Sequence, residues 1–294
     1  MSLQYCLLKH QYNQILTLVP KPFVKWAGGK RQLLPILTHH MPKKYNSYFE
    51  PFLGGGALLF HLLSENPRQK CYISDLNSDL ILAYVTIRDK VGELITLLKC
   101  HSDNYFKNPK SYYYSMRKDN PKDQIEKVSR FIFLNRTCFN GLYRVNSKGK
   151  FNVPIGRYAK PNIVNKENLF AVSNALQSSK ILIKCQDFSA IIDHTEKNDF
   201  IYLDPPYQPI SSTANFTSYT HCDFGYEEQK RLLDFMKKLD EKGCKVMLSN
   251  SKSKEVVDLF SPLCSNILEV DANRNINSDS KKRKGHSELL IKNY

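Results

Sequence analysis

The chain has 294 residues, 41% of them hydrophobic and 24% charged, a globular composition long enough for one large domain or a domain with an insertion. Every apolar run is broken by Lys, Gln, Asn or Asp well short of the roughly 20 residues needed to cross a bilayer, so no transmembrane helix is expected. Lys and Arg number 43 against 28 Asp and Glu, and the net charge of +15 points to a polyanionic partner, nucleic acid ahead of an anionic membrane surface.

Residues 1–21 mix Gln, Lys, His and Asn with apolar residues and lack the basic start and continuous apolar stretch of a signal peptide, so a cytoplasmic protein is expected. This N-terminal extension carries no functional motif. Strands are predicted at 47–51 and 70–74, with helices starting at 57 and running from 77 to about 100. Such βαβ alternation predicts a parallel sheet covered on both faces. It resumes with strands at 181–184, 200–203, 245–248 and 288–292, and with a helix over 226–242 closed by Gly243.

Between the two α/β stretches the composition changes. Residues 107–166 hold 14 Lys and Arg against 3 acidic residues, so +11 of the net +15 lies in about a fifth of the chain. The same window carries Tyr112, Tyr113, Tyr114, Phe131, Phe133, Phe139, Tyr143, Phe151 and Tyr158, the mixture expected where phosphates are neutralised and bases are stacked or wedged. Phe131 and Phe133 are read as helix core. The basic run 281–284 is read as a solvated loop. Cys6, Cys71, Cys100, Cys138, Cys185, Cys222, Cys244 and Cys264 are scattered, without a CxxC pair or a His at zinc-ligand spacing, so reduced, mostly buried thiols and no metal are expected.

Two motifs carry chemistry. The first is Glu50-Pro51-Phe52-Leu53-Gly54-Gly55-Gly56 at a strand-to-helix junction, where glycines let the backbone approach a ligand and the next helix offers unpaired N–H groups. It lacks GxGxxG spacing and a Walker lysine, which argues against pyrophosphate and triphosphate. Asp75, about twenty residues on, stands where an acid in such folds reaches ribose hydroxyls. In the second motif, Phe200-Ile201-Tyr202-Leu203 delivers Asp204 to a strand end, and Pro205 and Pro206 then fix the backbone ahead of Tyr207. A carboxylate beside a locked carbonyl aims two acceptors at one spot, suited to an NH₂ group, and Tyr207 supplies a stacking face.

Together with Lys25-Trp26-Ala27-Gly28-Gly29-Lys30, these blocks resemble the DNA adenine N6-methyltransferases of the Dam and DpnM type, the D12 class, in the order of that family's α group. The resemblance runs from about Pro22 to the C-terminus. It implies a Rossmann-like α/β sheet dependent on S-adenosyl-L-methionine (residues 22–105 and 167–294), interrupted by a mainly helical target-recognition domain with a β-hairpin (106–166). It implies that the cofactor is bound by Trp26, Lys30, Gly54, Gly55, Gly56, Asp75 and Asp204, with Asp187 and Phe188 near its adenine ring.

The segment from Phe139 to Tyr158 resembles the family's GATC-reading hairpin. There Arg144 matches a guanine reader, Leu142 and Pro154 match positions near thymine, and Lys25 and Tyr158 match positions at the other guanine. Asn140 and Arg157 belong to the same DNA-contacting segment. Phe139 is Tyr in some relatives, which keeps a wedge or stacking role and removes a hydroxyl contact. The implied catalytic group is Asp204, Pro205 and Tyr207, acting on an adenine extruded from double-stranded DNA.

Methylation of cytosine N4, an RNA base or a glutamine amide would use similar acceptors, but related families more often carry Ser or Asn at the Asp204 position. An inactive DNA-binding regulator is opposed by intact Lys30, Asp204 and Tyr207. Monomeric action fits two strands modified in separate events, and a cognate restriction endonuclease, not directly bound, is a possible partner in the same system.

Overall fold

The computed structural model describes residues 18–178, 180–207, 224–262, 266–272 and 286–294. Among these, eight α-helices are present: α1 (Leu34–His40), α2 (Ala57–Glu65), α3 (Ser78–Lys107), α4 (Pro109–Lys118), α5 (Gln124–Thr137), α6 (Lys166–Leu176), α7 (Tyr226–Glu241) and α8 (Lys254–Phe260). The strands are β1 (Tyr48–Glu50), β2 (Cys71–Asp75), β3 (Ile181–Cys185), β4 (Phe200–Leu203), β5 (Lys245–Ser251), β6 (Asn266–Ala272) and β7 (His286–Lys292). The chain divides into two compact units. One takes the chain up to Trp26, Gly55–Arg68 and Asp79–Ser179, and the other takes Ala27–Gly54, Gln69–Ser78 and Lys180–Tyr294.

The second unit holds the sheet, whose seven described strands run in the order β3-β2-β1-β4-β5-β7-β6. Strands β1 to β5 pair in parallel, whereas β7 is antiparallel to both β5 and β6. The expected fully parallel sheet is therefore corrected at one edge, and strand β6 was absent from the sequence expectation. A parallel return needs a long crossover, usually a helix, whereas an antiparallel one can be made by a short connection. One face is lined by Phe49, Ile201, Leu203, Val246, Leu248, Leu289 and Ile291, packed with Leu232, Phe235, Met236 and Leu239 of α7 and Val256 and Phe260 of α8. The alternate residues Tyr48, Phe200, Tyr202, Met247 and Leu290 are buried as well, which is why these central strands read as continuous apolar runs. Helix α7 ends as expected: Gly243 takes φ +75°, and the Cys244 amide reaches back to the Leu239 carbonyl.

The first unit is mainly helical. Helix α3 runs past the expected end near residue 100 to Lys107 and is broken at Lys90 (φ −137°, ψ 36°). Ser173 Oγ of α6 and Nε2 of Gln177, just past its end, both donate to the Arg88 carbonyl beside that break, at 3.3 and 3.2 Å. Asn108 caps α4 and Asp123 caps α5 through their side chains.

Most aromatics of the basic window form this unit's core: Tyr113, Phe131, Phe133, Tyr143 and Phe151 are buried, while Phe139 is 38% exposed. His101 stacks on Phe133 and its ring nitrogens meet Tyr112 Oη and Ser129 Oγ; burial lowers its pKa to about 4, so it stays neutral. The five described cysteines are free thiols, Cys71, Cys138 and Cys244 buried, Cys100 and Cys185 exposed. Burial pushes the Cys71 and Cys138 thiols up to about 12. The run 281–284 and Cys6, Cys222 and Cys264 lie outside the described residues. Among the described residues no helix is long and apolar enough to cross a membrane, and no cluster of His, Cys, Asp or Glu could hold a metal.

Candidate active site

In the second unit, β4 lies between β1 and β5, and the strand order reverses between β1 and β4. Ligands in open α/β sheets bind outside the carboxyl ends of strands at such a reversal. Asp204 leaves β4 at this edge, its side chain 18% exposed. Lys30, itself 5% exposed, places Nζ 2.8 Å from Asp204 Oδ1 and 3.6 Å from Glu288 Oε2, and donates to the Gly28 carbonyl at 3.0 Å. The Tyr207 hydroxyl donates to Glu288 Oε2 at 2.6 Å, and Lys30 Nζ lies 4.8 Å from the Tyr207 ring centre. Lys30 and Glu288, far from the Asp204–Tyr207 motif in the chain, are thus brought into one cluster with Asp204 and Tyr207, and Pro205 is buried beside them.

Among the described residues the charges of this cluster do not balance. Two carboxylates share one ammonium, so the cluster favours a cationic or N–H-donating ligand. Burial pushes Asp204 up, Lys30 pulls it down and Glu288 raises it again, leaving its pKa at about 6. The Tyr207 phenol is held well above its ordinary value, first by burial and then by the charges of Asp204 and Glu288, so it remains a donor.

Asp75 ends β2 in the same unit. Its Oδ2 accepts the Gly54 amide and its Oδ1 the Asn77 amide, each at 2.9 Å. Burial raises its pKa, against the lowering effect of these backbone donors. A carboxylate has about four acceptor directions, and the backbone amides of Gly54, Asn77 and Leu76 take three of them, leaving one that suits a ribose hydroxyl. Gly54 sits at φ +48° and Gly56 at +66°, a backbone region that side-chain-bearing residues rarely adopt. Asp187 is already engaged: it caps Ser189 and pairs with Arg231. Burial would raise its pKa, but these partners hold it below the usual value. Phe188 is buried against Phe52 and Phe235.

Trp26, Gly55 and Gly56 belong to the first unit, where Trp26 stacks on Tyr143 with ring centres 5.6 Å apart. That unit also holds every residue matched to DNA reading. Arg144 Nε donates to Asn152 Oδ1 at 2.8 Å across a hairpin closed by the Val145–Phe151 bridge and by Asn146 N to Lys150 O. A second bridge, Cys138–Ile155, and the Phe139 N to Pro154 O bond join its base. Lys25 Nζ donates to Tyr158 Oη at 3.1 Å and lies 4.2 Å from that ring's centre. Asn140 (φ +55°) and Gly141 (φ +65°) turn the chain sharply, and a Cβ on Gly141 would sit 2.3 Å from Lys25 Cδ. Asn135, fully buried, holds the Lys25 backbone N–H and C=O and the Gly141 carbonyl at 2.8, 2.8 and 3.0 Å. Phe139, Pro154 and Arg157 are exposed; Asn140, Leu142 and Arg144 are half-buried.

Three residues escaped the sequence reading. Glu288 carried a signal, an acid within an apolar strand. Asn135 did too, an amide following Phe-Ile-Phe-Leu on a helix. Asn152 lay inside the quoted motif without a role.

A mostly parallel seven-stranded sheet with an acid at the strand-order reversal defines the chain as a methyltransferase-type α/β protein. Residues 26–276 match the model of the D12 class N6 adenine-specific DNA methyltransferases, and the chain belongs to that family. It is 46% identical to the Type II methyltransferase M.MjaIII of Methanocaldococcus jannaschii, over 93% of this chain and 99% of that protein. It is 45% identical to the Type II methyltransferase M1.LlaDCHI of Lactococcus lactis subsp. cremoris, over 93% of this chain and 95% of the other. Identity to the DNA adenine methylase of Escherichia coli is 31%, over 92% of this chain and 94% of that protein. The expected enzyme class, an adenine-specific DNA methyltransferase, follows, and with it DNA as substrate and the need for a methyl donor.

Proposed function

We propose that the enzyme transfers the methyl group of S-adenosyl-L-methionine to adenine N6 in double-stranded GATC, acting on a base extruded from the duplex. The observation that carries this is the anionic cluster in which Asp204 shares Lys30 with Glu288 and Tyr207 stands beside them. Its excess negative charge suits a sulfonium cofactor and an amino-group substrate. The adenine N6 lone pair is delocalised into the ring, and in a duplex the amino group is paired. Extrusion, at about a few kcal/mol, frees it.

The adenine then stacks on Tyr207, and its NH₂ donates to Asp204 and to the Pro205 carbonyl. Lys30 occupies Oδ1, so Oδ2 receives the amino group. These acceptors draw the nitrogen toward tetrahedral geometry and restore lone-pair density; as the N–C bond forms, the donor's methyl–sulfur bond would break, the thioether would leave and one N6 proton would pass to solvent, and a fixed set of dipoles accelerates the transfer without a covalent enzyme intermediate. The cofactor, when bound, supplies an electrophilic methyl group. Asp75, through its remaining acceptor direction, and the turn at Gly54 hold it in the second unit; Trp26, Gly55, Gly56, Asp187 and Phe188 are the further residues assigned to it.

Residues 106–166 act as the recognition module. With Nε held by Asn152, Arg144 meets guanine O6 and N7 through its terminal nitrogens, and Leu142 and Pro154 offer apolar contact to a thymine methyl. Lys25 and Tyr158 serve the other guanine, Phe139 wedges or stacks, and Asn140 and Arg157 complete the contact segment. The higher identity to two Type II methyltransferases than to the Escherichia coli methylase favours a restriction-modification setting, with the enzyme working as a cytoplasmic monomer.

The test is transfer of labelled methyl from S-adenosyl-L-methionine to duplexes carrying GATC or each single-base variant, followed by nucleoside analysis. N6-methyladenine confined to GATC is expected. Equal labelling of all duplexes, or label on cytosine, contradicts the reading.

A further inference from the structure

We propose that Glu288 is a positioning residue for methyl transfer, fixing the Tyr207 ring as the face on which the target base stacks and dividing the Lys30 ammonium with Asp204. The inference rests on the reading of Asp204 and Tyr207 as the adenine pocket, and it concerns a residue beyond the stretch, 26–276, that matches the family model.

Topology brings Glu288 there. Strand β7 runs against β5, so its beginning lies beside the end of β5, with Glu288 opposite Ser251. The start of an antiparallel strand thus reaches the carboxyl edge where β4 releases Asp204. Glu288 is only 6% exposed. A buried carboxylate is costly unless it is paired and hydrogen-bonded. Here one oxygen meets both needs, taking the Tyr207 phenol proton at 2.6 Å and lying 3.6 Å from Lys30 Nζ.

The consequence for Tyr207 is mechanical. A tyrosine following two prolines has its main chain constrained, but its ring still turns about two side-chain bonds, and a hydrogen bond at the phenol end removes that freedom. The consequence for Asp204 is electrostatic. Lys30 cannot neutralise both acids, so Asp204 keeps more of its proton affinity than a simple ion pair would. Among the described residues, the groups facing this cluster are Lys30 from the turn after Gly29, Asp204, Tyr202 and Tyr207 from β4 and its continuation, Glu288 from β7 and, through its effect on Tyr202, Glu50 from β1.

The experiment uses the full-length enzyme with S-adenosyl-L-methionine and a GATC duplex, measuring steady-state kcat/KM against pH for wild type, Glu288→Gln, Glu288→Ala and Tyr207→Phe, alone and with Glu288→Ala. In wild type the rate falls as pH drops through about 6, where Asp204 takes a proton. Glu288→Gln keeps an acceptor for Tyr207 and removes the like charge, so the acid inflection moves down. Glu288→Ala also frees the ring and lowers the plateau rate by roughly 10- to 100-fold, the loss of one charge-assisted hydrogen bond. Combining it with Tyr207→Phe adds less than the product of the two single effects.

An unshifted inflection in Glu288→Gln overturns the proposal, even if Glu288→Ala fails to fold. A folded Glu288→Ala enzyme with wild-type plateau and profile overturns it too, and leaves the Asp204 reading standing. If Asp204→Ala itself still methylates, the underlying pocket reading fails instead.

Discussion

The carboxyl edge of the sheet and the hairpin over 138–158 use charged and aromatic side chains in opposite ways. At the edge, Lys30, Asp204, Tyr207 and Glu288 come from three separate stretches, are buried or half-buried, and answer one another at 2.6 to 3.6 Å. On the hairpin the residues are neighbours in sequence. Phe139, Lys148, Lys150, Pro154 and Arg157 are exposed above a base held by backbone bonds and by the buried amide of Asn135. A transfer site gains from being dry and preorganised, because fixed charges act strongly in low dielectric. A reading surface needs donors left over for a base, as Arg144 keeps its terminal nitrogens with Nε held by Asn152, and rigidity beneath them.

Substitutions that respect this difference sharpen it. The largest effect is expected at the edge. Lys30→Met removes the cation that lowers the Asp204 pKa, so the acid inflection of kcat/KM rises above about 6 and activity at neutral pH falls, by roughly tenfold or more. A pH-rate profile checks it, and an inflection that stays put breaks the electrostatic account.

On the hairpin, Arg144→Ala should leave the inflection alone and relax discrimination at one base pair by about 1–3 kcal/mol, read from transfer rates on duplexes substituted at that pair. Loss of rate on every sequence alike would instead make Arg144 part of the scaffold. The smallest effects belong to Lys148→Ala and Lys150→Ala. Each should weaken binding at all sequences and lower the salt dependence of affinity by about one phosphate contact, measured by titration across ionic strengths. A salt slope unchanged in both variants takes the hairpin tip off the phosphate backbone.

The comparison also explains what was legible in the sequence. Motifs that are local could be read: the start of α2 at Ala57, the strand Phe200–Leu203 that delivers Asp204, and the hairpin residues, all contiguous. Glu288 was not, because its role depends on β7 running against the sheet, and the sequence pattern of a strand does not state its direction. Strand β6 escaped because its edge position tolerates Asn, Glu and Asp between its apolar residues.

The charge arithmetic needed correction for a related reason. Arg130 donates to the Met116 and Arg117 carbonyls, Arg136 to the Phe23 carbonyl and Arg117 to the Val153 carbonyl, so three of the 14 basic residues counted toward a nucleic-acid surface hold backbone inside the unit. Composition counts a charge; burial and partners decide what it does.

The most direct test of the account separates its two halves in one protein. Asp204→Ala should bind a GATC duplex with near wild-type affinity and sequence preference, since the reading residues are untouched. Its single-turnover methyl transfer should fall by at least about a thousandfold, with the carboxylate acceptor gone. Transfer near the wild-type rate by a folded Asp204→Ala enzyme would contradict the claim that the chemistry happens at this strand end.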